Sequence, residues 1–240
     1  MESGISLVDV SFGYGKSVVL RRASLGIPRG GTAVVAGRNG AGKSTLLYVC
    51  AGLLPVASGS VTIDGHAPDA RHPAALMGAG VRRGFVFQEG GLLSNMNALA
   101  NVALPLYYHA DSLQLEPEQV EARARAALER VGLSGNELYE LPAHLSFGVR
   151  KRLALARAIA LEPNFFYFDD PDVGLDPATA ALVHEILCGY RDDPAVTMLV
   201  ATNRDLLIDR LGVPGYTLRD GVITPRSVPQ PPPRLPSRLA

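Results

Sequence analysis

Residues 37–44 read Gly37-Arg38-Asn39-Gly40-Ala41-Gly42-Lys43-Ser44, directly after the apolar stretch Thr32–Gly37. The pattern G-x-x-x-x-G-K-[ST] between a buried strand and a helix is the sequence form of a phosphate cradle. Its glycines let backbone N–H groups curl around a polyphosphate, and the helix opening at Lys43 adds the positive end of its dipole. Lys43 is expected to reach the β- and γ-phosphates and Ser44 to ligate Mg²⁺, with Thr45 included in the binding set. The alternative is a plain glycine-rich turn between strand and helix.

Outward from this loop, apolar periodicity alternates strands with helices, which predicts an α/β fold with a largely parallel sheet covered by helices. Strands are expected at Ile5–Phe12, Val18–Arg21, Thr32–Gly37, Ser60–Asp64, Gly84–Gln88, Asn164–Phe168, Val196–Ala201 and near Tyr216–Arg219. Helices are expected from Lys43 to about Gly52, and at Ala98–Tyr108, Pro117–Val131, Phe147–Ala160 (after an N-cap at Ser146), Pro177 to about Tyr190, and Asp205–Leu211. Residues from about 98 to 160 thus form a helical insertion. Residues 228–240 carry five prolines and are expected to be a polyproline-like tail following a domain of residues 1–227.

A phosphate cradle of this kind needs an acid to hold the metal, normally at the end of a buried strand. Phe165-Phe166-Tyr167-Phe168-Asp169-Asp170-Pro171 supplies an apolar run that ends in two carboxylates. Asp169 is the candidate Mg²⁺ ligand, through water, and Asp170 the candidate partner of an attacking water. Taken alone, such acids also fit a strand that simply ends at a turn.

Composition narrows the partners. Lys and Arg together number 23, as do Asp and Glu, so no global field draws the chain to nucleic acid or anionic lipid. No apolar run approaches the roughly 20 residues of a membrane span, and the start Met1-Glu2-Ser3 lacks the basic and apolar regions of a leader. A cytosolic chain without a nucleic-acid partner is the expectation. Cys50 and Cys188 lie in apolar helical stretches without metal-ligand spacing, and both are expected to be buried small hydrophobes.

Six segments occur in the order and spacing of an ABC-type ATPase subunit, a resemblance that covers about residues 5–223. They are Tyr14 in Val10-Ser11-Phe12-Gly13-Tyr14-Gly15, the phosphate loop, Gln88 in Phe85-Val86-Phe87-Gln88, Leu145-Ser146-Phe147-Gly148-Val149, the Asp169-Asp170 strand and Gly174-Leu175-Asp176-Pro177. The resemblance implies a P-loop NTPase fold with an antiparallel β subdomain and a helical subdomain, and ATP with Mg²⁺ as its cofactors. It further implies that Tyr14 stacks on adenine and that Gln88 contacts Mg²⁺ and reports nucleotide state to a membrane partner. Ser146 and Gly148 would clamp the γ-phosphate of ATP held by the opposite subunit, and Asp176 would communicate between the two sites. Read singly, Tyr14 could instead be core and Gln88 a polar residue at a strand end.

Two stretches, Gly91-Leu92-Leu93 with Asn101-Val102-Ala103-Leu104-Pro105-Leu106, and Ala154–Pro163, are similar to ATPases of bacterial Mla-type phospholipid-transport systems. This resemblance implies a lipid transporter, a transmembrane permease as partner, a second copy of the chain in preference to a different ATPase, and attachment at the cytoplasmic face of the inner membrane through the permease.

The chain departs from the family pattern at three places. Asp170 stands where glutamate is usual, Asn203 stands at the switch-histidine position, and Phe147 and Val149 replace the glycine and glutamine of Leu-Ser-Gly-Gly-Gln. Asp170 is one methylene shorter than glutamate, and a misplacement of about 1 Å can cost roughly a hundredfold in rate. Asn203 can still hydrogen-bond a phosphate but cannot carry a histidine's positive charge. Slow hydrolysis is therefore expected of the candidate catalytic pair Asp170 and Asn203. The competing readings are a module that binds ATP in a structural or regulatory role, and a non-transport ABC protein of DNA repair or translation.

Overall fold

A computed structural model describes residues 3–72 and 74–226; the expected tail lies outside the described residues. In chain order the elements are β1 (Ser3–Tyr14), β2 (Ser17–Pro28), β3 (Thr32–Ala36), α1 (Lys43–Cys50), β4 (Ser58–Ile63), α2 (Ala75–Gly78) and β5 (Arg83–Val86). There follow α3 (Ala98–Tyr108), α4 (Ala110–Leu113), α5 (Pro117–Arg130), α6 (Phe147–Ile159), β6 (Phe165–Asp169), α7 (Pro177–Arg191), β7 (Thr197–Thr202), α8 (Asp205–Leu211), β8 (Gly215–Arg219) and β9 (Val222–Arg226).

The strands form two sheets. A three-stranded antiparallel sheet has the order β2-β1-β4, and a six-stranded sheet has the order β5-β6-β7-β3-β8-β9. In the larger sheet all neighbours are parallel except the β8–β9 hairpin. Successive side chains of a strand point to opposite faces, so a strand buried on both sides reads as a continuous apolar run. β6 does this with aromatics. Phe166 and Phe168 enter a core shared with α3, α5, α6 and α7, whereas Phe165 and Tyr167 enter a second core shared with α1 and the antiparallel sheet. Tyr167, fully buried, donates its hydroxyl to the Cys50 carbonyl oxygen at 3.1 Å, which satisfies the one polar side-chain atom among the four aromatics.

Residues 98–159 form the crossover between β5 and β6, which are adjacent parallel strands. The three longer crossover helices each have a local reason to start where they do. Asn97 caps α3 by accepting from Ala100 N–H, Glu116 and Gln119 form a capping box before α5, and Ser146 caps α6 by accepting from Val149 N–H.

Several expectations need correction. β1 and β2 are longer than the alternation suggests, because register shifts along their pairing and positive φ angles at Asp9 and Arg22 interrupt the period of two. β5 ends at Val86, so Gln88 lies in the loop beyond it. β9 was not expected: its sequence contains Pro225 and its exposed edge has no apolar alternation, although Asp220-Gly221, with φ of 51° and 80°, forms the two-residue turn before it. Cys50 is fully buried, but Cys188 is half-buried at the edge of a core. Among the described residues, no helix is long and apolar enough to cross a membrane.

Candidate nucleotide site

The site is assembled by strand register. Ala36, the last residue of β3, is opposite Thr202 of β7, and Asp169, the last of β6, is opposite Ala201. The chain leaving each strand therefore emerges at the same edge, and Gly37, Asp170 and Asn203 share the carboxyl ends of three adjacent parallel strands, where open α/β sheets place their ligands.

Gly40 and Gly42 of the loop have φ of 78° and 98°, a region costly for other residues. At Gly42 a Cβ would also lie 2.7 Å from Val19 Cγ1 of β2. No side chain caps α1, so the N–H groups of its first turn are left for an external acceptor. Lys43 folds back over the loop, donating from Nζ to the Gly37 carbonyl oxygen at 3.1 Å, and stands 3.8 Å from Asp170 Oδ2. Both side chains of this ion pair are buried. Val19, Asn39, Ser44, Thr45, Gln88 and Asp170 contribute to the walls of the adjoining cleft of about 390 Å³. Gln88, 45 residues away from the P-loop lysine in the chain, thus reaches the same cleft from the loop after β5.

Asp169 is the least compensated group. It is 1% exposed, and neither carboxylate oxygen has a hydrogen-bond partner. Burial raises its pKa; the Ser44 hydroxyl facing it works in the other direction but does not reach hydrogen-bond geometry, and Asp170 adds to the rise while Lys43 and Lys151 oppose it. Two bare buried oxygens beside a serine hydroxyl form a hard oxygen donor set, and these residues fit Mg²⁺. Asp170 has the same character. Its backbone lies at φ 42°, fixed by its N–H donating to the Ala201 carbonyl at 2.9 Å, and its Oδ1 is buried without a partner while Oδ2 faces Lys43. A non-glycine residue in this region stores strain that the surroundings must hold in place.

The remaining expected residues lie at three places. Asn203 Nδ2 donates to Asn39 Oδ1 of the phosphate loop at 2.8 Å, and Arg38 and Asn203 line one cleft beside it. Tyr14, at the end of β1, is half exposed and meets Phe12 edge to face at 5.0 Å, so it is not core. Ser146 and Gly148 open α6 next to Asp176, the N-cap of α7: a Cβ on Gly148 would be 3.7 Å from Asp176 Oδ2. Asp176 accepts from the Thr179 hydroxyl at 2.6 Å and from two backbone N–H groups, which together hold its carboxyl below the usual range, the hydroxyl contributing most. Phe147 lies against Gly174, whose Cβ, if present, would meet the ring at 2.9 Å, and both Arg150 and Lys151 approach its face.

Sequence reasoning did not single out Lys151, Asp172 or Arg204. Lys151 is buried on α6 and donates to the Asp170 carbonyl oxygen at 3.5 Å; desolvation lowers its pKa against the pull of Glu89 and the strand-end acids. Asp172 and Arg204 were visible only as neighbours of residues already chosen, Asp172 two places after Asp170 and Arg204 one place after Asn203.

Residues 20–173 match the profile of the ABC transporter family. The chain is 35% identical over 199 residues to the intermembrane phospholipid transport system ATP-binding protein MlaF of Escherichia coli, covering 83% of this chain and 72% of that protein. It is 37% identical over 200 residues to the lipoprotein-releasing system ATP-binding protein LolD of Myxococcus xanthus, covering 82% and 86%. Among solved structures, the dimeric post-hydrolysis state of the ATP-binding cassette MJ0796 bound to ADP and Pi superposes with a TM-score of 0.84 at 26% identity, covering 94% of this chain and 99% of that one. With the phosphate loop, the paired acids and Asn203 gathered at one sheet edge and the family profile matched over residues 20–173, the chain belongs to the ABC transporter family, as an ATP-binding ATPase subunit.

Proposed function

We propose that the chain binds ATP with Mg²⁺, pairs with a second copy of itself, and drives a phospholipid-transporting permease with slow hydrolysis from the cytoplasmic face of the inner membrane. The observation that carries the nucleotide assignment is the buried array of Lys43, Asp169 and Asp170, in which Lys43 pairs with Asp170 Oδ2 and the other three carboxylate oxygens are left without partners. The likeness to the phospholipid system supports the cargo class. Residues 1–227 would form the ATPase unit, with residues 98–160 as its helical part.

In this reading Gly37 to Thr45 wrap the phosphates, Tyr14 offers its exposed ring to adenine, and Lys43 exchanges its contact with the Gly37 carbonyl for a phosphate oxygen. Mg²⁺ would be held by Ser44, Asp169 and Gln88, and when bound it neutralises phosphate charge. Asp170 Oδ1 is the free acceptor that can orient an attacking water and receive its proton, while Oδ2 stays on Lys43. Asn203 donates an amide hydrogen toward the terminal phosphate from across the loop. Ser146 and Gly148 serve the partner's nucleotide, and Asp176 lies between the two sites. An aspartate with its reach set by a strained backbone and an asparagine without charge position the reactants but stabilise developing charge weakly, which is the basis for slow turnover.

A largely apolar cleft of about 400 Å³, to which Phe85, Phe87, Leu104, Tyr108, Ala158 and Leu161 contribute, joins β5 to α3 and α6 and supports docking of a permease element. The test is purification of the chain from its native membrane with whatever it binds, followed by ATPase and lipid-transfer assays on that complex. A permease, two copies of this chain and lipid-stimulated hydrolysis are expected; ATP binding with no membrane subunit would favour the regulatory module instead.

A further inference from the structure

Asp172 is fully buried, and its Oδ2 meets two nitrogen-bearing side chains belonging to different elements. His184 of α7, itself buried, places Nε2 at 2.9 Å, and Arg204, the first residue of the turn into α8, places Nε at 3.3 Å. The three residues come from the loop after β6, the middle of α7 and the loop after β7, and nothing in the nucleotide chemistry above uses them.

Their positions give them a function. Asp172 follows Asp170 by two residues, and the loop between them is pinned by the bond from Val173 N–H to the Asp170 carbonyl. Arg204 follows Asn203 directly. Its backbone N–H is held by Thr202 Oγ1 at 3.1 Å, and its carbonyl accepts from Leu207 and Ile208 to start α8. Asn203 is therefore fixed on both sides, by the end of β7 before it and by the Arg204–Asp172 ion pair after it, and its own amide lies against Asn39.

We infer that Asp172 and Arg204 are positioning residues for ATP hydrolysis: their ion pair, anchored on the buried Asp172 and seated by His184, locks the Asn203 loop to the loop of the paired acids, so that Asp170 and Asn203 approach one phosphate as a single unit. The pair joins the loops that carry Asp170 and Asn203, two of the positions at which this chain departs from its family, and it supplies rigidity where a shorter acid and an uncharged amide leave little tolerance for displacement. Breaking such a pair takes the guanidinium away from a carboxylate that stays buried against His184, so the loops shift even though neither residue touches nucleotide. The inference rests on the reading of Asn203 as a residue that faces the terminal phosphate.

The test is a double-mutant cycle on the full chain, with Arg204→Ala, Asn203→Ala and the combination, each read for kcat, for KM of ATP-Mg and for ATP affinity. If Arg204 acts through Asn203, Arg204→Ala lowers kcat about tenfold with little change in KM or affinity, and the same change made in the Asn203→Ala background lowers kcat by less than about twofold. Arg204→Lys, at a side chain that is 43% exposed and able to fold in either form, recovers most of the rate because charge toward Asp172 is kept. Equal fold-losses in both backgrounds, or an Arg204→Lys variant as slow as Arg204→Ala, would overturn the inference. Those outcomes leave ATP binding untouched, whereas failure of the nucleotide reading shows separately, as a Lys43→Ala chain that still binds ATP like the wild type.

Discussion

Asn203 Nδ2 donates to Asn39 Oδ1 at 2.8 Å, a bond between the loop after β7 and the phosphate loop after β3. The amide at the switch position is thus already docked on the element that would cradle the phosphates. An imidazole there would keep a donor and add the capacity for charge. Asp170→Glu combined with Asn203→His is expected to raise the ATPase rate of the assembled complex by about tenfold, since both changes act on groups aimed at the reacting phosphate. Steady-state hydrolysis, in a complex verified to hold two copies of this chain, checks it; an unchanged rate means these positions are tuned to their surroundings.

Lys43 is the only cation within ion-pair distance of Asp170 among the described residues. Lys43→Ala is expected to lower ATP affinity by at least about a hundredfold, through loss of a charge-assisted contact to phosphate, and to lower the melting temperature by leaving Asp170 buried without its partner. Titration with a fluorescent ATP analogue and a thermal melt read the two effects separately.

Asp169 keeps two buried oxygens bare, which costs folding stability in the nucleotide-free protein. Asp169→Asn is expected to raise the melting temperature without nucleotide by about 2–4 °C, the shift that roughly 1 kcal/mol produces in a domain of this size. The same variant loses the Mg²⁺-dependent part of the stabilisation by ATP. Calorimetry with ATP, with and without Mg²⁺, decides; a variant less stable than the wild type in all conditions refutes the cost assigned to Asp169.

Gly174 has φ 77° and lies under the Phe147 ring. Gly174→Ala is expected to destabilise the chain by about 1–2 kcal/mol, from backbone strain and from the contact with that ring. Phe147→Ala in the same chain should recover only the steric part. Urea denaturation of the four chains of the cycle separates the two contributions.

Leu104 and Tyr108 are exposed on α3 beside the apolar cleft. Leu104→Glu is expected to reduce recovery of the membrane subunit on purification while ATP affinity stays as in the wild type, because a carboxylate placed against an apolar partner must be desolvated. Recovery equal to that of the wild type would place permease contact elsewhere.

The phosphate loop could be read from the sequence because its chemistry is contiguous: eight residues contain the glycines, the lysine and the serine, and the strand before them is apolar after Thr32. The paired acids were readable for the same reason, at the end of an aromatic strand that both cores bury. β9 left no such trace, since an exposed edge strand containing Pro225 has neither alternation nor burial to announce it. Lys151, Asp172 and Arg204 carry no local pattern either. Their significance lies in the register of β6 against β7, which brings Asp172 and Arg204 together across more than thirty positions, and in the packing of α6 that turns Lys151 inward.

The sheet order also dictates when the molecule can be completed during synthesis. β3, the strand that carries the phosphate loop, has β7 and β8 as its two neighbours, and both lie near the other end of the described chain. A growing polypeptide that has made β3 holds both of its edges open until Thr197–Thr202 and Gly215–Arg219 have left the ribosome. Pairing at such sequence separation is slow, because the loop must close before any contact rewards it. The N-terminal β1–β2 hairpin and the helical crossover can form early from local contacts, but ATP has no cradle to stabilise until nearly the whole chain is available. For that interval, the open edges of β3 are the place where a chaperone or another nascent chain would bind.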